Sequence, residues 1–366
     1  MNRTERLPTV SAAVNMHTGE LHNALRRDEA AWRLRFMLLI VLLIVLFLVA
    51  LVLGSVNIPL DQIVRVLLGG EAERASWTSI IMQVRLPRAL TALLAGAALG
   101  AAGLLMQTFF RNPLASPDVL GVNSGASLGV ALVVLSTGVV GTSLLAGIGL
   151  AGDLGLAAAA SIGAGLTMLL VLFVARRVRG STTLLIIGLM IGQLTFAVVS
   201  LLLYFSIPER IQAYINWGFG SFGGVTWSQL PILALAVTAG VVLSVALIKP
   251  LNALLLGEAY AESMGVGLRR ARTGIILSTA LLTGAVTAFC GPIAFIGIAV
   301  PHLCRGLFRT ADHRALLPAA LLMGALVAQA AGILAQAPGT DIALPLNAVL
   351  SLIGAPVVLF VILRGQ

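Results

Sequence analysis

The chain has 366 residues, of which 59% are hydrophobic and only 10% are charged, and its mean hydropathy is +1.03. Soluble globular proteins do not have this composition, so the sequence indicates a membrane protein. The net charge of +9 comes almost entirely from arginines at the ends of apolar segments, without interleaved aromatic residues, which excludes a nucleic-acid-binding protein.

The first polar stretch, residues 1–35, is predicted to be a cytoplasmic N-terminal tail. Residues 36–53 carry no charge and are long enough to cross a hydrocarbon core of ~30 Å. The tail is too long for the n-region of a signal peptide, so a retained transmembrane helix is predicted. Ten apolar segments are bounded by Gly, Pro or Arg: 36–56, 89–108, 121–138, 150–175, 183–205, 229–248, 273–290, 293–308, 315–335 and 344–363. The sequence therefore predicts an all-α polytopic protein of about ten transmembrane helices, with one transmembrane domain over residues 36–366.

Basic residues concentrate on one side when the ten segments alternate across the membrane. With the N-terminus in the cytoplasm, eighteen of the 23 Lys and Arg residues fall inside and five outside. Because cytoplasmic loops carry the excess of Lys and Arg, both termini are predicted to be cytoplasmic. The outside residues are Arg65, Arg74, Arg85, Arg88 and Arg210.

One internal repeat is visible. Residues 91–103 and 279–291 are identical at seven of thirteen positions, at an offset of 188 that also carries Pro113 onto Pro301. An odd number of predicted helices separates the copies, so they run in opposite directions, and inverted repeats are typical of transporters. Coincidence among Ala, Leu and Gly is the alternative.

The chain lacks the motifs of an enzyme or a metal protein. It contains no Walker A sequence, no H-E-x-x-H and no C-x-x-C, and its two cysteines are Cys290 and Cys304. We therefore expect no catalytic residue, no metal site and no cofactor bound by this chain. Its intramembrane regions also lack paired carboxylates, since five acidic residues fall at segment ends: Asp118, Asp153, Glu209, Asp312 and Asp341. An external energy source is favoured over an ion-driven carrier.

A charged island, GEAYAESMGVGLRRAR at residues 257–272, interrupts the apolar sequence. Glu258 and Glu262 are spaced four apart, as on one face of a helix, and Gly265 follows as a stop signal. The pattern predicts a short amphipathic helix on the inner side, followed by a piece that carries Arg269, Arg270 and Arg272. We interpret it as a docking element for a cytoplasmic motor; a solvated loop is the alternative.

Five ordered stretches resemble one family. They are RLPR at 85–88, RNPLASPDVLGVNSGA at 111–126, LGEAYAESMGV at 256–266, GPIAFIGIAVPHLCR at 291–305 and LPLNAVLSLIGAP at 344–356. In these stretches the chain resembles the permease subunits of the FecCD family, which belong to type II ABC importers for iron–siderophore complexes, haem and vitamin B12. The resemblance extends from about residue 36 to the end.

The resemblance implies a set of partners in the bacterial inner membrane. A second permease subunit, identical or related, would complete the pathway at the dimer axis, and two cytoplasmic ABC ATPase subunits would bind ATP and Mg. Coupling helices at about residues 250–272 would enter a groove on the ATPase, with the contacts at Gly257, Glu258, Ala261, Glu262, Gly265 and Val266. The cargo would be an iron(III)–siderophore complex. Haem, cobalamin and a stand-alone secondary transporter are the alternatives.

The resemblance also assigns the remaining motifs. Arg85 and Arg88 would face the periplasm and pair with acidic residues of a periplasmic or lipid-anchored binding protein; anchoring to lipid headgroups is the alternative. Gln336 stands where vitamin B12 importers place a further docking Arg, so the interface is expected to differ from theirs. The motif residues assigned to the pathway and its supporting structure are Arg111, Asn112, Pro113, Gly121, Gly125, Gly291, Pro292, Pro301, His302 and Arg305.

Overall fold

The structure is a computed structural model that describes residues 10–54, 56–135, 153–178, 181–337 and 343–364. These residues form helices and turns, with no strand among them. The helices are α1 (Val10–Val52), α2 (Leu60–Leu67), α3 (Ala75–Ser79), α4 (Leu86–Phe109), α5 (Val122–Val134), α6 (Asp153–Arg177), α7 (Ser181–Tyr204), α8 (Pro208–Gly218), α9 (Leu230–Ala246), α10 (Ile248–Leu255), α11 (Glu258–Ser263), α12 (Leu268–Cys290), α13 (Ile296–Phe308), α14 (His313–Ala335) and α15 (Leu346–Arg364). A π-helical segment, Ile80–Arg85, joins α3 to α4, and a 3-10 turn, Pro117–Leu120, precedes α5.

The all-α prediction is confirmed, and each of the ten apolar segments contains helix. Six helices in the described residues are long and apolar enough to cross a membrane, or seven if α9 and α10, which meet at a bend of 53°, count as one span. The three shorter apolar helices are α5, α13 and the start of α15. The number of ten transmembrane helices stays a prediction.

Helix α1 differs from the predicted boundary. It is continuous from Val10 to Val52, and its membrane-spanning part begins at Ala31 instead of residue 36. No proline interrupts residues 10–52, so nothing in the sequence ends the helix between the polar and apolar parts. The tail therefore leads into the first span as helix.

Helix α4 lies at the centre of the core and packs on α14 and α13 through glycines. A β-carbon on Gly96 would stand 2.2 Å from the carbonyl oxygen of Gly324, and one on Gly103 would stand 1.9 Å from that of Gly297. Because these distances exclude any side chain, the backbones approach as closely as small-residue motifs in membrane helices allow. Gly125 brings α5 onto α6 in the same way, with Thr167 on the facing surface.

The structure corrects one part of the predicted repeat. Helices α4 and α12 are each followed by a turn and a 13-residue helix, α5 or α13. Pro113 lies in the turn after α4, whereas Pro301 lies inside α13, so the pairing of these two prolines is wrong; Pro292 occupies the turn after α12. The offset of 188 came from a stretch rich in Ala, Leu and Gly, which can slide along a helix without changing its character. The inverted repeat itself stays a prediction.

The bundle has two chemically different ends. We call the α11 end the one that contains α11, the turn 110–117 after α4 and the turn 309–312 between α13 and α14. Arg35 belongs to this end because its Nη1 donates to the carbonyl of Phe308 (3.4 Å). Of the described basic residues predicted to lie inside, Arg35, Arg111, Arg272 and Arg305 have contacts at this end, whereas the five predicted outside lie in or near α2, α3, the start of α4 and α8.

Candidate functional site

Helix α11 is short because glycines redirect the chain on both sides of it. Gly257, before the helix, has φ +107°, and Gly265, two residues after its last residue, has φ +83°. Residues with a β-carbon rarely adopt these angles. The chain therefore turns sharply into α11 and out again, and the short helix predicted at this position is present, ending at Ser263.

One face of α11 joins the core and the other is exposed. Ala261 is fully buried, and Val266 packs against the core. Three large apolar residues in and beside α11 are exposed: Leu256, before the turn at Gly257, by 62%, Tyr260, within the helix, by 55%, and Met264, directly after it, by 59%. We call these three residues the apolar stripe. Glu262 is exposed on the same short helix.

Glu258 fixes α11 to two longer helices. Nη2 of Arg272, in the first turns of α12, lies 2.8 Å from each carboxylate oxygen of Glu258. Nη1 of Arg272 donates to the carbonyl of Val178 (3.4 Å), directly after α6. A charge-assisted contact of this kind is stronger than a neutral hydrogen bond. Through Arg272, α11 is therefore connected to the start of α12 and to the residue that follows α6.

The RNP motif forms a tight turn beside α11. Arg111 has φ +49°, an angle that is uncommon for a residue with a side chain. Asn112 Oδ1 accepts from the backbone N–H of Leu114 (2.9 Å), and Pro113 follows within the turn. The guanidinium of Arg111 reaches Gly257: its Nη1 lies 3.5 Å from where a β-carbon on Gly257 would stand. The RNP motif and the charged island thus meet in space.

An open cavity of about 220 Å³ separates this turn from α13. Its lining consists of Gln107, Thr108, Arg111, Pro113, Leu255 and Arg305. Arg305 donates from Nη2 to Oε1 of Gln107, and Gln107 donates from Nε2 to the carbonyl of Ile298 (3.2 Å). We call it the Arg111–Arg305 cavity. Gln107 is a site residue that the sequence analysis missed, although a buried glutamine in an apolar helix is a recognisable signal.

The other motif residues either turn the backbone or pack in the interior. Gly121 (φ +74°) redirects the chain into α5, and Gly291 (φ +74°) ends α12 before Pro292. Pro301 and His302 are buried within α13, where His302 Nδ1 donates to the carbonyl of Ile298 (2.9 Å). These residues support the arrangement of α5 and α13.

Asn347, in the LPLN motif, was not singled out as a site residue but holds three segments together. Its Nδ2 donates to the carbonyls of Pro292 (2.7 Å) and Gly218 (3.1 Å). Its Oδ1 accepts from the N–H of Ala294 (3.0 Å). The start of α15 is thereby tied to the turn after α12 and to the end of α8.

Arg85 and Arg88 occupy different environments at the opposite end. Arg85 is only 6% exposed; its Nη1 donates to the carbonyls of Leu51 (2.6 Å) and Val52 (2.7 Å), and its Nη2 to that of Val56. The last carbonyls of a helix lack partners within the helix and favour a cation. The structure therefore differs from the expectation that Arg85 faces outward: it caps the end of α1.

Arg88 is half-buried and less fully bonded. Its Nε has no hydrogen-bond partner among the described residues. It lines a narrow cavity together with Arg85, Gln329 and Gln336. Gln336, which stands where the vitamin B12 importers are expected to have a docking Arg, thus lies beside Arg88. Docking of a binding protein at Arg88 stays a prediction.

Comparison with known proteins agrees with this architecture. The FecCD transport family matches residues 42–364. The vitamin B12 import system permease protein BtuC of Klebsiella pneumoniae subsp. pneumoniae is 38% identical over 299 residues, covering 81% of this chain and 86% of that protein. The hemin transport system permease protein HmuU of Yersinia pestis is 36% identical over 321 residues, covering 87% and 93%.

A solved structure has the same fold. It is an inward-facing conformation of a metal-chelate type ABC transporter, 28% identical, with a TM-score of 0.77 over 90% of this chain and 98% of that chain. The family match covers most of the sequence, including α11 and the turn that carries Arg111. The chain therefore belongs to the FecCD transport family and is a multi-pass membrane protein.

Proposed function

We propose that the chain is the permease subunit of an ABC importer in the bacterial inner membrane, with its α11 end in the cytoplasm. The observation that carries this proposal is α11 itself, a short helix that presents the apolar stripe outward and is braced by Glu258 and Arg272. Exposed apolar residues in a row mark a protein interface. The partner that fits is an ATPase subunit, which would hold ATP and Mg, because this chain has no Walker A sequence.

A second permease subunit would complete the pathway. Helix α7 exposes large apolar side chains along its length, including Leu189, Met190, Leu194, Phe196 and Leu201. Lipid covers such a face in a monomer, and a second copy or a related subunit covers part of it in a dimer. We place the pathway between two such subunits, as in transporters whose substrate passes at a repeat or subunit interface.

The cargo we propose is an iron(III)–siderophore complex, supported by the resemblance of the PDVLGVNSGA and LPLNAV stretches to permeases of that class. A second candidate, cobalamin or haem, is favoured by the names of the relatives, which are a vitamin B12 and a hemin permease. All three are metal chelates, and the related solved structure is that of a metal-chelate type ABC transporter. The cargo would arrive on a periplasmic or lipid-anchored binding protein at the end that carries Arg88.

A deletion strain of the source organism tests the function and the cargo together. Uptake of a labelled ferric siderophore, hemin and cobalamin is measured separately, with the deletion complemented by the wild-type gene. Loss and recovery of ferric siderophore uptake alone supports the first candidate. Loss of hemin or cobalamin uptake instead supports the second, and normal uptake of all three contradicts the proposal.

A further inference from the structure

We propose that the Arg111–Arg305 cavity receives an acidic side chain of the ATPase subunit, so that the permease holds its partner by a buried ion pair as well as by the apolar stripe. The inference rests on the proposed function and adds a second contact to it. It also moves Arg111 and Arg305 from the transport pathway to the partner interface.

The charge around the cavity favours an anionic partner. Neither Arg111 nor Arg305 has a carboxylate within ion-pair distance among the described residues, and the cavity lining contains no Asp or Glu. The hydrogen bond of Arg305 goes to the neutral amide oxygen of Gln107. Arg305 is partly buried, and taking a guanidinium out of water is unfavourable unless an anion pairs with it. Two guanidinium groups around one cavity therefore form a site that an incoming carboxylate would complete, and the guanidinium fork matches a carboxylate in geometry.

The backbone conformation of Arg111 also directs its side chain to the cavity. Arg111 keeps φ +49°, which costs free energy for a residue with a β-carbon. The N–H of Arg111 donates to the carbonyl of Thr108 (3.2 Å) and that of Asn112 to the carbonyl of Gln107 (3.1 Å), so the turn is held in this form. The result is that the guanidinium of Arg111, although the residue is exposed, lines the cavity and lies beside Gly257. Strain of this kind persists where the surrounding structure enforces it, often at binding sites.

The position of the cavity favours a protein carboxylate over a lipid phosphate. Leu255 lines the cavity and is followed directly by Leu256, the first residue of the apolar stripe. Arg111 also adjoins Gly257, which leads into α11. A partner that covers the stripe therefore covers the mouth of the cavity and excludes water from it. Ion pairs surrounded by such apolar contacts contribute more than exposed ones.

The test measures the affinity of the purified cognate ATPase for the permease in nanodiscs of zwitterionic lipid, as a function of salt. The variants are Arg111→Gln, Arg305→Gln and the charge-retaining Arg111→Lys and Arg305→Lys. Arg314→Gln is the matched control, because Arg314 is an exposed arginine at the same end that does not line the cavity. We expect each Gln variant to bind about tenfold or more weakly, with a shallower salt dependence. The Lys variants should keep most of the affinity, and the control should match the wild type.

Each outcome has a distinct meaning. If the wild-type permease does not bind the ATPase, the proposed function fails before the inference is reached. If the wild type binds but both Gln variants bind with unchanged affinity and salt dependence, the inference is wrong and the proposed function stands. If the loss occurs only in nanodiscs of anionic lipid, the cavity binds a headgroup, which also overturns the inference. Recovery of Arg111→Glu by an acidic-to-Arg substitution in the ATPase would identify the partner residue.

Discussion

Arg272 and Glu258 form a contact in which one guanidinium nitrogen lies 2.8 Å from both carboxylate oxygens, across a separation of fourteen residues. It connects the beginning of α11 to the first turns of α12, and Arg272 also reaches the carbonyl that follows α6. A force on α11 therefore has a direct route to two helices that cross the core. We regard this contact as the mechanical link between the partner surface and the bundle.

The first prediction concerns that link. Glu258→Gln and Arg272→Gln are each expected to lower ATP-driven uptake, and the double variant should be little worse than either single one, because both remove the same contact. The coupling free energy should be about 0.5–1 kcal/mol, since the pair is partly exposed to solvent. A double-mutant cycle on uptake rates in proteoliposomes measures it. Strictly additive effects would show that the two side chains act independently.

The second prediction concerns the turn that ends α11. Gly265→Ala places a β-carbon at φ +83°, which costs about 1–2 kcal/mol and should displace the apolar stripe. Gly267→Ala is the matched control: Gly267 lies two residues further on, has φ −70°, and a β-carbon there would meet only Cδ of Arg270, at an ordinary contact distance of 3.9 Å. We expect weaker ATPase binding and reduced uptake for Gly265→Ala and wild-type behaviour for Gly267→Ala. Equal effects of the two variants would show that ATPase binding does not depend on the backbone angle at Gly265.

The third prediction separates Arg85 from Arg88. Arg85→Ala leaves two carbonyls at the end of α1 and that of Val56 without their donor, and should lower the stability of the protein in detergent by about 1–3 kcal/mol. Arg88→Ala should leave the stability nearly unchanged and instead lower the affinity of the substrate-loaded binding protein for the permease. Thermal unfolding and binding assays on the same preparations make the comparison. A stable Arg85→Ala protein with weakened binding would restore Arg85 as a docking residue.

The fourth prediction concerns topology. A cysteine at Ser263, exposed beside the apolar stripe, should react with an impermeant thiol reagent only from the cytoplasm. A cysteine at Ser76, exposed in α3 at the opposite end, should react only from outside. The native Cys290 and Cys304 are buried and provide a low background. Labelling of Ser263→Cys from the outer face would reverse the orientation and exclude α11 as a cytoplasmic contact.

The helices and turns that depend on local sequence pattern could be predicted from the sequence. Contacts with backbone groups far away along the chain could not. Apolar runs located the helices, and two glycines with spaced glutamates located α11. Arg85 could not be assigned from its motif, because the carbonyls that it binds belong to the last residues of α1 and to Val56 just after it, about thirty residues earlier. The repeat was detected through Ala, Leu and Gly residues, which occur in any membrane helix and can be aligned at several offsets. The pairing of the two prolines was wrong for that reason. The cavity likewise joins Arg111 to Arg305 across most of the chain.

The central claim, that this chain transports only when an ATPase acts through α11, is tested most directly in proteoliposomes containing the permease, the cognate ATPase and the loaded binding protein. The account predicts uptake of the metal chelate that requires ATP and is lost when the Walker A lysine of the ATPase is replaced. Uptake should also be strongly reduced by Gly265→Pro, which cannot adopt φ +83°. Chelate uptake by the permease alone, without ATPase or ATP, would contradict the account.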